Sequence, residues 1–267
     1  MTPDEHAAQV AAAIDETWHS GSSEPRHDVP ISAAATVCLL RPDDAESMAK
    51  AIHEQPAAAF LSTARHLWSS VLRARPGLVH LVHPMVNWMF DDPAAHLVDR
   101  FKMTVEAALD ADQLALTGTK CRYDTDQLGH LLTRLKSRTA LRSNAQIYTP
   151  PDLALVAAAL VLDRVELGQT FCDPVVGTGG LLRAAAQVIR RHGHDPADMV
   201  WYGADIDPLA IAATAVNSVV WGLGRSVILY CGDTLSAPNW AREAFSARRD
   251  VLRIARDIEA INFLNQL

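Results

Sequence analysis

Apolar residues fall three and four apart through AESMAKAIHE, AAFLSTARHLWSSVL, HLVDRFKMTVEAAL and TDQLGHLLTRL, which predicts helices over most of residues 36–145. Breaks at Pro56, Arg75-Pro76-Gly77, Asp92-Pro93 and Gly118 divide this stretch into five or six helices. Upstream, residues 1–35 hold a short amphipathic piece, AAQVAAAIDETW, followed by the turn-rich SGSSEPRHDVP. The expectation there is an acidic segment ordered only in part.

The rhythm changes after 148. TPPDLALVAAALVL opens with Thr149 as helix N-cap, Pro150 at the first helical position and Asp152 completing a capping box. Strand TFCDPVV, helix LLRAAAQVIRRHG, strand MVWYGADI, helix PLAIAATAVNSVVWGLG and strand SVILYCGD then alternate. Such alternation predicts a parallel sheet with crossover helices, here at least three strands over 146–235. In 236–267, Trp240, Ala244, Ala247, Val251, Ile254, Ile258 and Ile261 recur at alternating spacings of four and three, one long amphipathic helix with a heptad seam. The predicted class is α/β: an N-terminal α-helical domain, a partial Rossmann-like domain and a long C-terminal helix.

Composition narrows the partners. The 267 residues carry a formal charge of -7 and are 49% apolar, enough for a core but unsuited to a free-standing, tight nucleic-acid binder. The charge is uneven. Residues 1–33 hold six acids against one arginine; 127–151 hold Arg134, Lys136, Arg138 and Arg142 with no acid; 240–256 hold five arginines against Glu243 and Asp250. The faces 134–142 and 242–256 are therefore the candidate contacts with DNA phosphate. No leader is visible at the acidic N-terminus, and the longest apolar run is half a membrane span, so a soluble cytoplasmic protein is expected. The four cysteines lack metal or redox spacing and read as reduced and structural, the two in strands as buried small hydrophobes. His53, His66, His80 and His83 have no clustered acid or cysteine to complete a metal site, and no nucleophile motif is present.

Candidate chemistry gathers at FCDPVVGTGGLL. Gly177, Gly179 and Gly180 crowd a strand-to-helix turn, where glycine lets backbone approach a ligand. Neither the dinucleotide fingerprint nor the phosphate loop is present. Asp173-Pro174 precedes the turn, and a carboxylate there repels pyrophosphate but suits an ammonium, pointing to S-adenosyl-L-methionine. Asp205 ends the second strand and can accept ribose hydroxyls. Asp207-Pro208 reads as a helix cap. Asp233 follows the third strand, placed for an adenine amino group.

TPPDLA, DPVVGTGGLL, GADIDP and GDTL, preceded by DQLGHLLTRL and AQIYTPP, resemble the N6-adenine DNA methyltransferases, specifically the modification subunits of type I restriction systems. The resemblance covers about residues 124–235. It implies that Tyr148, Thr149 and Pro150 border the methionine end of the cofactor, and that Asp173, Gly177, Thr178 and Gly179 form the main loop. It further implies Asp205 on ribose, Ile206 against adenine and Asp233 at the adenine amino group. Val176 and Leu181 depart from the family's usual smaller and aromatic residues.

The family also carries an Asn- or Asp-Pro-Pro-aromatic motif after a fourth strand, which accepts hydrogen bonds from the target amine and stacks on the flipped base. The only Pro-Pro here is Pro150-Pro151, already spent on a helix start. No catalytic residue is assigned. Without a fourth strand TFCDPVV becomes an apolar edge, to be covered by the C-terminal helix, the helical domain, a second copy in a homodimer or another subunit. Three functions remain: a cofactor-binding family member unable to transfer methyl groups alone, acting as a regulatory, DNA-associated or partner-dependent protein; an active methyltransferase drawing on Asn217, Asn239 or Asn262; or a scaffold for another adenosine ligand.

Overall fold

A computed structural model describes residues 1–20, 26–139 and 149–264. Fifteen elements run in the order α1 (Pro3–His19), α2 (Asp28–Leu39), α3 (Ala45–Glu54), α4 (Ala57–Ala74), α5 (Val79–Phe90), α6 (Ala95–Asp110), α7 (Gln113–Thr117), α8 (Gln127–Thr139), α9 (Pro151–Val161), β1 (Thr170–Asp173), α10 (Gly180–Arg191), β2 (Val200–Asp205), α11 (Pro208–Val220), β3 (Val227–Cys231) and α12 (Trp240–Leu264). The expected helical region and the strand–helix alternation are both present. No helix among the described residues is long and apolar enough to cross a membrane.

The N-terminal segment is where sequence pattern and structure part. α1 buries Ala7, Val10, Ile14 and Trp18, and α2 buries every residue from Val29 to Leu39. α2 lies at the centre of the helical domain, touching α1, α4, α5, α6, α7, α8 and α11. A helix surrounded on all sides has no polar stripe, so DVPISAAATVCL shows no 3.6-residue alternation by which to recognise it. In α1 a full capping box closes the start, with Thr2 accepting from Glu5 N–H and Glu5 accepting from Thr2 N–H.

The sheet is three-stranded and parallel in the order β1-β2-β3, with Asp173 opposite Gly203 and Asp205 opposite Cys231. α11 is buried nearly throughout, packing on β2 and β3 and against α2, α5 and α8. It is the joint between sheet and helical domain. Asp207 caps it as expected, accepting from Leu209 N–H at 3.0 Å, and Lys136 of α8 pairs with the same carboxylate. Arg190, at the end of α10, donates to Trp221 O at the end of α11 and stacks on Tyr123.

Two expectations are corrected. α9 begins at Pro151 with Pro150 at the cap and no side-chain cap bond, so Thr149 is not the N-cap. Cys172 and Cys231 do lie in strands but are exposed, because β1 is a sheet edge and Cys231 ends β3; all four cysteines are free. α12 lies along β3, burying Trp240 and Ala244. Its second half leaves Ile254, Ile258 and Ile261 more than half exposed. Around β1 and α9, Leu160 and Val161 are 80% and 81% exposed, and among the described residues β1 pairs with β2 alone.

Candidate functional site

Parallel strands end together, and their carboxyl ends here open into a cavity of about 1050 Å³. α1 and α8 form its opposite wall through Asp4, Ala8, Gly129 and His130. Of the residues singled out in the sequence, Thr149, Pro150, Asp173, Pro174, Gly177, Thr178, Gly180, Asp205, Ile206 and Asp233 all line it. Tyr148 lies outside the described residues. Gly179 does not line the cavity.

The three glycines do three different things. Gly177 adopts φ 55° and Gly179 φ 98°, conformations that favour glycine. A Cβ on Gly179 would stand 2.9 Å from the Trp221 ring, so this residue admits α11 to the turn, not a ligand. A Cβ on Gly180 would meet nothing within 4 Å, and this glycine faces the open cavity.

Asp205, 7% exposed, holds the turn from below. Its Oδ2 accepts from Gly177 N–H at 3.0 Å and its Oδ1 from Asp207 N–H at 2.9 Å. One lone-pair site on each oxygen remains for a further donor. Asp173 accepts from Val175 N–H at 3.0 Å. Burial pushes the Asp173 carboxyl above its ordinary value; the Val175 N–H opposes this, and the nearby Asp205 charge adds to it. Asp233 is exposed and lies two residues past the end of β3, its Oδ1 accepting from Leu235 N–H at 2.9 Å.

Above the turn is a network the sequence reading missed. Asp126, before the first turn of α8, accepts from Gly129 N–H at 2.8 Å, from Asn217 Nδ2 at 2.8 Å and from the Thr178 hydroxyl at 2.5 Å. Asn217 also donates to Thr178 O at 2.9 Å, and the Thr214 hydroxyl to Gly177 O at 2.7 Å. DQLGHLL shows helical spacing and carries part of the resemblance, but neither marks Asp126 as a partner of the glycine turn. None of Asn217, Asn239 and Asn262 lines the cavity, and the Asn217 amide is occupied as a donor.

Five carboxylates line the cavity (Asp4, Asp126, Asp173, Asp205, Asp233) against two arginines. Arg134 is paired with Asp15 at 3.0 Å and Glu16 at 3.5 Å, and Arg183 donates to Asp124 O. Exposed Val175, Leu181, Ile206 and Leu235 supply apolar wall. This combination suits a ligand that is flat and apolar at one end and cationic at the other.

The Asp173 environment makes a prediction with a defined sign. A carboxyl whose native pKa is raised binds more protons folded than unfolded, so its contribution to stability falls as pH rises through its titration. Asp173→Asn should therefore leave the melting temperature equal or higher at neutral pH, with the advantage disappearing in acid below the ordinary carboxylate range. Melting curves from pH 3 to 8 check this; a variant less stable than the parent at pH 7 would contradict it.

Residues 125–251 match the family model described as N-6 DNA Methylase. The type I restriction enzyme MjaIX methylase subunit of Methanocaldococcus jannaschii is 32% identical over 78 residues, which is 29% of this chain and 13% of that protein. The crystal structure of a type I restriction-modification system methyltransferase subunit from Streptococcus thermophilus is similar in fold, with TM-score 0.50 at 17% identity, covering 87% of this chain and 59% of that one.

Proposed function

We propose that this chain, whose residues 125–251 match the N-6 DNA methylase family model, binds S-adenosyl-L-methionine at the strand ends and needs a partner to transfer its methyl group. One observation carries the proposal: the glycine turn and the strand-end carboxylates Asp173, Asp205 and Asp233 face a single cavity, with apolar Ile206 in its wall. The residues fit the cofactor. Asp173 would face the ammonium, the remaining acceptor sites of Asp205 the ribose hydroxyls, Ile206 the adenine face and Asp233 the adenine amino group. Bound there, the cofactor supplies an electrophilic methyl on sulfonium.

Dependence on a partner is supported by the lack of a second Pro-Pro and by the three-stranded sheet among the described residues. The chain spans 13% and 59% of the two proteins it resembles. A second subunit or a second copy along β1 or α12, in a cytoplasmic protein acting on DNA, completes the reading. Calorimetric titration with the cofactor tests binding, and transfer of labelled methyl to duplex DNA tests activity. The chain alone should bind without transferring, whereas transfer by the pure chain would favour the active-methyltransferase reading.

DNA contact is better supported at α12 than at α8. In α8, Arg134 and Lys136 are already paired with Asp15, Glu16 and Asp207; the Arg138 side chain and Arg142 lie outside the described residues. On α12, Arg249 and Arg253 are exposed, Arg253 meeting the solvent-exposed Asp250 at 3.4 Å, beside Arg248, which donates to Arg225 O at 2.5 Å. Replacing Arg249 and Arg253 by alanine should weaken duplex retention in a gel shift and lower the salt dependence of binding by about two phosphate contacts. An unchanged salt slope would remove α12 from the DNA contact.

A further inference from the structure

We infer that Asp126 is a positioning residue for the glycine turn: by holding Thr178, it sets cofactor affinity from the helical domain. This rests on the cavity being an adenosylmethionine site. Thr178 sits between Gly177 and Gly179, both at positive φ, so the local chain places almost no restraint on where the turn stands. Tertiary bonds must choose its position. Thr178 is 1% exposed and held twice, by its hydroxyl on Asp126 Oδ2 and by its carbonyl under the Asn217 amide.

A helix cap alone does not require this residue type, since serine or asparagine serve as well. Asp126 receives donors from three elements: Gly129 N–H in α8, Asn217 in α11 and Thr178 in the turn. Only an ionised carboxylate offers acceptor sites to all three and donates to none. Gly129 belongs to the same device. A Cβ there would stand 2.3 Å from Asp126 Oδ2 and 2.7 Å from Thr178 Oγ1, so glycine is needed for α8 to seat against the turn. The pattern Asp-x-x-Gly therefore does in α8 what it need not do for a helix, and the family match beginning at 125 takes in this device. A turn fixed before the ligand arrives loses less freedom on binding, which raises affinity.

The test uses Asp126→Asn, which keeps a cap, and Thr178→Val, which removes only the hydroxyl, singly and together. Cofactor affinity is measured by calorimetry and amide hydrogen exchange is followed without cofactor. Asp126→Asn should weaken binding about tenfold, the scale of one charge-assisted hydrogen bond, and speed exchange at 176–180 while α8 and the melting temperature change little. Thr178→Val should do the same, and the double variant should be no worse than either single one. Thr178→Ser should restore binding. Additive losses in the double variant would overturn the inference, as would unchanged exchange at the turn in Asp126→Asn. If the parent binds no cofactor, the site reading fails, and faster exchange confined to 176–180 would still establish the tether.

Discussion

Asp205→Ala should abolish measurable binding of S-adenosyl-L-methionine in a titration where the parent chain binds. The carboxylate is buried, and its two oxygens hold the backbone of the glycine turn and of the loop after β2, through Gly177 N–H and Asp207 N–H. Truncation removes two acceptors for the ligand and frees the turn that must meet it. Hydrogen bonds to a charged group contribute about 1.5–3 kcal/mol each, so losing two corresponds to at least a hundredfold in affinity. Asp205→Asn separates the roles, since its single carbonyl oxygen can keep one backbone bond while the charge is lost; it should fall between parent and alanine variant. Melting temperatures distinguish loss of the site from loss of the fold. A folded Asp205→Ala chain that binds as tightly as the parent would sink the assignment of the cavity.

Gly224→Ala should cost more stability than any other glycine substitution between α11 and β3. Gly224 has φ 78°, and a Cβ would stand 2.5 Å from Ala197 O and 2.6 Å from Ala197 Cα. These are backbone atoms of the short 3-10 turn before β2, and they cannot swing aside as a side chain can. The Gly224 carbonyl also accepts from Arg75 at 2.5 Å, tying the end of α4 to the sheet. Strain and clash together should remove about 3 kcal/mol and lower the melting temperature by roughly 6–12 °C. Gly193→Ala is the control. Its φ is 79° but a Cβ there meets nothing within 4 Å, so only the strain of about 1 kcal/mol applies. Equal melting temperatures for the two variants would show that the contact with Ala197 relaxes.

The part of the cavity built by local chain order was legible. Asp173 and Asp205 stand at strand ends because each strand runs into its turn in sequence, and Asp207 caps α11 because Asp-Pro does so locally. Gly177 and Gly180 face the site for the same reason. Gly179 looked equivalent, yet its neighbour is Trp221, a residue 42 positions away that only packing brings to it. The acidic N-terminal segment reads as ordered only in part because α2 has no polar face, and its partners are spread across seven other helices.

Sequence alone determined the alternation of strand and helix, the helical region before it and the acids at the strand ends, since hydrophobic period, turn residues and caps act over a few positions. The tertiary structure decided that α1 and α8 wall the cavity, that Asp126 and Asn217 reach Thr178, that α12 lies on β3 and that β1 pairs with β2 alone among the described residues. Each of these depends on which surfaces meet after the elements form, and a contact between distant residues leaves no period in the chain.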